Sequence, residues 1–228
     1  MVKKKMSLAQ KVNVLRASVM GANDGILSVA GIVVGVAAAH TSAYSILISG
    51  LSGTLAGTIS MCMGEYVSVS TEKDSQKMAI IAEREHLEDS RDLVHKDLKE
   101  RYLAQDIAPE LAEQAATELL DHNALNNVVQ EKYGFNPEEF TSPYAAAIAS
   151  FISFPTGSIL PMLAVTMTPA HIRIAATMIA VVIALCITGY LAAVLGGSNR
   201  WKSVVRNAIS GMLTMGVTFL IGQLFAQR

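Results

Sequence analysis

Five stretches, each close to the roughly 20 apolar residues needed to cross a bilayer as a helix, constrain this chain more than anything else in it. They cover residues 17–39, 43–64, 144–167, 174–195 and 207–226. The first contains one charge, Asp24; the second is uncharged and ends at Glu65; the third is uncharged despite Pro155 and Pro161; the last two are also uncharged. Lipid offers no partner to a backbone N–H or C=O, so such segments must be helices that satisfy their own hydrogen bonds. Residues 40–42 and 168–173 are connections short enough to make helical hairpins. The expected fold class is therefore all-α: a polytopic membrane protein with five transmembrane helices.

Charge separates the remainder from these spans. Seventeen of the 19 carboxylates fall between Glu72 and Glu139, and only Asp24 and Glu65 lie elsewhere. The same stretch holds eight of the 18 Lys and Arg, for a net −9, which leaves +8 on the rest of the chain. A wet, acidic insert over residues 70–142 is expected, after a tail at 1–16 and two spans within 17–69, and before three spans within 143–228. Residues 72–103 contain no Gly or Pro and are rich in helix formers, so span two is expected to continue into a long helix. Pro109 suits the first turn of a second helix reaching about Tyr133 and stopping at Gly134. Asn136-Pro137-Glu138-Glu139 reads as an N-cap with a short helix behind it.

Lys3, Lys4, Lys5, Lys11 and Arg16 precede span one, and Arg200, Lys202 and Arg206 lie between spans four and five. The other side has only Arg173 and Arg228. The positive-inside rule then places the N-terminus and the insert in the cytosol and the C-terminus outside, which requires an odd number of spans. The first ten residues have no cleavage-site pattern and read as a cytosolic tail.

An ionisable group inside a span is expensive, about 2.5–3.5 kcal/mol at mid-helix, and so points to function. Asp24 lies eight residues beyond Arg16, about 12 Å along a helix. The bland reading is an interhelical hydrogen bond or a helix cap; the sharper one is a site for a transported cation or proton. In span two, Thr58, Met61, Glu65, Ser68 and Glu72 recur at spacings of three and four and form a stripe. A thioether one turn from a carboxylate suits a borderline divalent ion such as Fe²⁺. Alternatively, Met61 and Met63 fill packing gaps. Gly21, Gly25, Gly31 and Gly35, with Gly50, Gly53 and Gly57, permit close helix approach or dimerisation. Cys62 and Cys186, both in apolar segments, read as small buried hydrophobes.

In the insert, Glu85, Glu88, Asp92 and His95 share a face, Asp97 and Glu100 form an i, i+3 pair, and Glu110, Glu113, Glu118, Asp121 and His122 can line the second helix. Oxygen-rich metal sites are one reading of such faces; a solvated charged face is the other. One Glu-x-x-His occurs, Glu83 with His86, but a ferritin-like di-iron centre needs a second copy, and 118–122 has the wrong spacing. No P-loop, nucleotide fingerprint, nucleophile elbow or His-Glu-x-x-His occurs, so a pump powered by ATP within this chain is not expected. There is no basic or aromatic platform for nucleic acid.

Residues 17–25, Ala-Ser-Val-Met-Gly-Ala-Asn-Asp-Gly, and 60–70, Ser-Met-Cys-Met-Gly-Glu-Tyr-Val-Ser-Val-Ser, resemble motifs of the vacuolar iron transporter family. The order of two spans, acidic helical insert and three spans is similar over nearly the whole chain, as in a bacterial-type member. The resemblance implies a homodimer of five-helix protomers that exports Fe²⁺, or Mn²⁺, from the cytosol in exchange for protons. It implies a pathway lined by Asp24 and Met61, with Glu65 beside them, along the dimer interface. It further implies a cytosolic metal-binding insert, with Glu85, Glu88, Asp97, Glu100, Glu113 and Glu131 as its ligands. Two departures stand out: Asp97 replaces a glutamate, and residues such as Asn127 and Val128 replace a methionine pair.

The expected function is a proton-coupled divalent-metal exporter, not an enzyme, with the metal as substrate and no prosthetic cofactor. In this scheme the insert captures the ion and passes it to Glu65 and Met61, then to Asp24, where protonation from the far side releases it. The rivals are a membrane-anchored iron sensor or store and a ferroxidase. The expected location is a bacterial inner membrane.

Overall fold

The computed structural model describes residues 7–226, of which 86% are helical and none is in a strand. The helices are α1 (Leu8–Ala38), α2 (Ala43–Asp89), α3 (Arg91–Leu103), α4 (Pro109–Asp121), α5 (Ala124–Tyr133), α6 (Pro143–Met167), α7 (Arg173–Leu195) and α8 (Arg200–Ala226). Five of them, α1, α2, α6, α7 and α8, are long and apolar enough to cross a membrane. The chain is an integral membrane protein. The described residues divide into two compact units: residues 11–67 with 143–226, and residues 68–142 together with 7–10. Lys3, Lys4, Lys5 and Arg228, which enter the charge-based orientation, lie outside the described residues.

Helix α1 starts nine residues before its apolar stretch, so residues 8–16 of the expected tail are helix. The cause is local. Ser7 Oγ accepts the Gln10 N–H at 3.3 Å and Gln10 Oε1 accepts the Ser7 N–H at 3.2 Å, a reciprocal capping box. Helix α1 is also the most enclosed of the five spans, with 44% of its apolar window buried against 17–33% for the others. Val29, Val33, Ile46, Phe154 and Val165 form one buried cluster, and Ile26, Ala30, Val34, Val181, Leu185 and Met215 belong to a second.

Small residues make this packing possible. A methyl group on Gly25 would overlap the carbonyl of Phe154 in α6, and one on Gly157 of α6 would overlap the carbonyl of Ala22 in α1. The two backbones touch at a reciprocal pair of glycines, and Ser158 Oγ donates across the seam to the Gly25 carbonyl at 3.3 Å. Gly25 of α1 thus serves packing within the chain. Outward, Leu51, Leu55 and Ile59 of α2, Ile179, Ile183 and Ile187 of α7, and Leu213, Leu220 and Leu224 of α8 are exposed. In a spanning chain such surface suits lipid.

In the second unit, the part of α2 from Ser68 onward is followed by α3, α4 and α5, with Val94, Leu98, Ala116, Leu120 and Val128 as the core. Three sequence expectations need correction here. The long helix ends at Asp89 and restarts at Arg91, because Ser90 leaves helical geometry (φ −152°, ψ 58°). The second helix breaks between Asp121 and Ala124 at Asn123, whose φ of 51° is left-handed. Asn127 Nδ2 donates to the carbonyls of Leu119 and His122 at that break, and Arg91 Nη2 donates to the Leu120 carbonyl at 2.6 Å, so the carbonyls freed at the end of α4 have partners. Third, 136–139 is a turn and not a helix: Asn136 Oδ1 accepts the Glu138 N–H at 2.9 Å and the chain does not coil further. The stop at Gly134 stands, with a left-handed φ of 73°.

Candidate functional site

In the membrane unit the two isolated carboxylates fall on α1 and α2, which pack together where Val33 meets Gly50 and Ile32 meets Gly53. Asp24 lies mid-helix in α1, which rules out a cap. It is partly buried and accepts a hydrogen bond from Ser28 Oγ, one turn along its own helix, at 3.0 Å. Among the described residues Asp24 has no ion-pair partner. The bland reading of an interhelical bond is therefore not what holds it.

Glu65 is different. Its side chain is 6% exposed, and the guanidinium of Arg16 grips both oxygens, Nη2 to Oε2 at 2.8 Å and Nη1 to Oε1 at 3.3 Å. This two-pronged geometry is the strong form of a charge-assisted bond. Nη1 also lies 3.4 Å from Met20 Sδ. The span-two stripe splits on inspection: Thr58 and Glu65 face inward with Val69, Met61 is partly buried, and Ser68 and Glu72 are exposed. A single three-residue step turns about 60° off the helical line, which displaces Met61 and Ser68 from the line of Thr58 and Glu65. Met61 packs against the cluster of Val29, Val33, Ile46, Phe154 and Val165. Cys62 and Cys186 are free and partly buried.

The second unit has its own buried acid. Glu83 is 2% exposed and accepts Lys132 Nζ at 3.3 and 3.2 Å and Tyr133 Oη at 3.2 Å. Lys132 Nζ reaches Asp97 at 2.9 Å, while Arg101 approaches the same carboxylate at 3.4 Å. The hydrogen bond from Lys132 holds the Asp97 carboxyl below the usual carboxylate range, against the opposing effect of burial. Burial works against the charge on Lys132, but the bonds to Asp97 and Glu83 outweigh it and raise its pKa. Burial, then the charge of Glu83, pushes the Tyr133 hydroxyl up. A cleft of about 370 Å³ lined by His86, Asp89, Ser90, Leu93, Asp97 and Lys132 adjoins this network.

The other expected insert ligands are spread out. Glu85 and Glu88 of α2 are exposed. Glu100 of α3 is exposed and 3.8 Å from Lys96. Glu113 of α4 is exposed and held by Lys99 at 2.6 Å, with His95 at 3.7 Å; the bond from Lys99 lowers its pKa. Glu131 of α5 lies beside Tyr102, whose hydroxyl is pushed up by burial and then by that neighbouring charge. Among the described residues no three or more His, Cys, Asp or Glu converge as a metal cage.

Sequence reasoning missed three residues that the structure makes central. In sequence Arg16 is one flanking charge among several, and Glu83 stands out only as part of a single Glu-x-x-His. Lys132 had an available signal, being the sole Lys or Arg between Arg101 and Arg173.

Comparison with known proteins adds a second line. The sequence model of the VIT family matches residues 15–223. A protein named vacuolar iron transporter from Acanthamoeba castellanii is 33% identical over 209 residues, covering 91% of this chain and 77% of that protein. Vacuolar iron transporter homolog 1 of Oryza sativa subsp. japonica is 34% identical over 215 residues, covering 94% and 75%. A protein of the same name from Arabidopsis thaliana is 31% identical over 217 residues, covering 95% and 85%.

Proposed function

The chain belongs to the VIT family, and on that premise we propose that it carries Fe²⁺, with Mn²⁺ as a second substrate, out of the cytosol in exchange for protons. The observation that carries this reading is the placement of the two isolated carboxylates. Asp24 and Glu65 stand on packed helices, one of them 6% exposed, in a part of the molecule that otherwise holds no acid. Buried carboxylates are costly unless a cation visits them. Relatives named vacuolar iron transporters support iron as that cation.

In this reading Glu65 and Met61 receive the ion. Hard oxygen and soft sulfur together suit a borderline divalent ion better than Mg²⁺ or Ca²⁺. Asp24, with Ser28 as its hydrogen-bond donor, takes the ion next, and protonation of Asp24 from the far side releases it. The insert gathers metal from the cytosol. Glu85 and Glu88 are exposed and open to an incoming ion, whereas Asp97 and Glu113 must first release Lys132 and Lys99. The chain works as a homodimer in a bacterial inner membrane, N-terminus inside, and catalyses no reaction.

Uptake of Fe²⁺ or Mn²⁺ into proteoliposomes under a pH gradient tests this. The parent chain transports, Asp24→Asn and Met61→Ala lose at least about tenfold in rate, and dissipating the gradient abolishes uphill movement. Variants that transport as well as the parent would refute the pathway.

A further inference from the structure

The guanidinium of Arg16 sits among three atoms that could otherwise ligate a metal: both oxygens of Glu65, at 2.8 and 3.3 Å, and Met20 Sδ, at 3.4 Å. The two partners differ in enclosure. Glu65 is 6% exposed while Arg16 is 45% exposed, so the cation can leave toward open space and the carboxylate cannot follow. Taking Arg16 away with nothing in its place leaves a buried carboxylate with no compensating charge, which is costly. Whatever replaces Arg16 must therefore be a cation or a proton.

A second observation comes from the same helix. Asn13, Arg16, Met20 and Asp24 follow at steps of three and four and share a face of α1. Asn13 Oδ1 and Asn23 Oδ1 are both buried acceptors without a hydrogen-bond partner. An orphaned buried acceptor calls for an explanation such as a bound ion or its water. Here one of them lies one turn before Arg16 and the other adjoins Asp24 in sequence.

We propose that Arg16 is a tethered counter-ion that fills the Glu65 site while no metal is bound, and that an incoming divalent cation displaces it and takes Met20 Sδ as a soft ligand. This rests on the transport reading above. It adds that binding is an exchange of one positive group for another, so the site is never an empty buried anion. Arg16 then weakens equilibrium binding and aids release, because its return competes with the bound ion. Met20 biases the exchange toward ions that accept sulfur.

The test uses the full-length chain in detergent with Mn²⁺ as a redox-stable probe, and the same variants in proteoliposomes. Arg16→Gln should bind Mn²⁺ about tenfold more tightly, within the usual range of coupled-site effects, while its maximal transport rate falls. Arg16→Lys should stay near the parent in affinity, and Arg16→Gln combined with Glu65→Gln should lose the gain. Met20→Leu should narrow the preference for Mn²⁺ over Mg²⁺. Unchanged or weaker Mn²⁺ affinity in Arg16→Gln would overturn the proposal. If Arg16→Gln does not fold, the proposal stands on Met20→Leu, and unaltered Mn²⁺ over Mg²⁺ preference there overturns it. Absence of flux in the parent chain sinks the transport reading alone, because the affinity comparison needs no flux.

Discussion

Glu65 in the membrane unit and Glu83 in the insert are the same device in two settings, a buried carboxylate held by one long cation. Arg16 holds the first and is 45% exposed; Lys132 holds the second and is 12% exposed. Around Glu83 the cation is shared with Asp97, Tyr133 adds a hydrogen bond, and the ammonium has little access to water. Around Glu65 the grip is two-pronged, and among the described residues the guanidinium's other hydrogen-bonding contact is a thioether. The difference teaches that an ion pair is a fastening or a latch according to how far the cation is enclosed. Desolvation penalises separation in one case and leaves an exit in the other.

The sharpest way to break this comparison is Lys132→Met, which leaves Glu83 without its lysine and Asp97 with Arg101 alone. A loss of about 3–5 kcal/mol is expected for a broken buried pair, read as early hydrogen exchange of α3 and α5 in the full chain. A negligible loss would show that Lys132 is not a fastening. Next in size, Arg16→Gln should cost about 1–3 kcal/mol, the scale of an unsatisfied buried acceptor, seen as a lower unfolding temperature. Saturating Mn²⁺ should restore that loss, but should not restore Lys132→Met. Tyr133→Phe removes one hydrogen bond to Glu83 and should cost about 0.5–1.5 kcal/mol.

The smallest effect is the pH response of the insert. Asp97 and Glu113 have lowered pKa values in the fold, so their stabilisation is present above the ordinary values of 3.8 and 4.5 and is lost as pH falls through the folded values. Lys132 has a raised value, so its share is complete below 10.5 and is lost as pH rises through the folded value. Both carboxylates are well exposed, and water and salt screen much of the effect. Insert stability should be flat between these limits and fall outside them. A decline centred near neutral pH would contradict this assignment to Asp97, Glu113 and Lys132.

The spans were legible because lipid demands long uninterrupted apolar helices, and five such runs cannot hide. The insert was legible in composition and less so in its breaks. Nothing local at Ser90 announces an end to α2, and the turn at Asn123 depends on Asn127 reaching back to Leu119 and His122. Asp24 and Glu65 could be picked out as lone acids. The hand on Glu65 could not, because Arg16 and Glu65 are 49 residues apart and charge counting treats every basic flank alike. The same separation hid Lys132 from Glu83.

The seam between α1 and α6 bears on how such a chain can change over generations. At Gly25 and Gly157 backbone meets backbone, so neither position admits a side chain without moving a helix. Met20, a little over one turn earlier, is 47% exposed and answers to no such limit. Under the exchange proposed above, descendants can explore new ion preferences at Met20 while the scaffold beside it stays frozen. The inheritance is divided between positions that geometry forbids to vary and one that is free to.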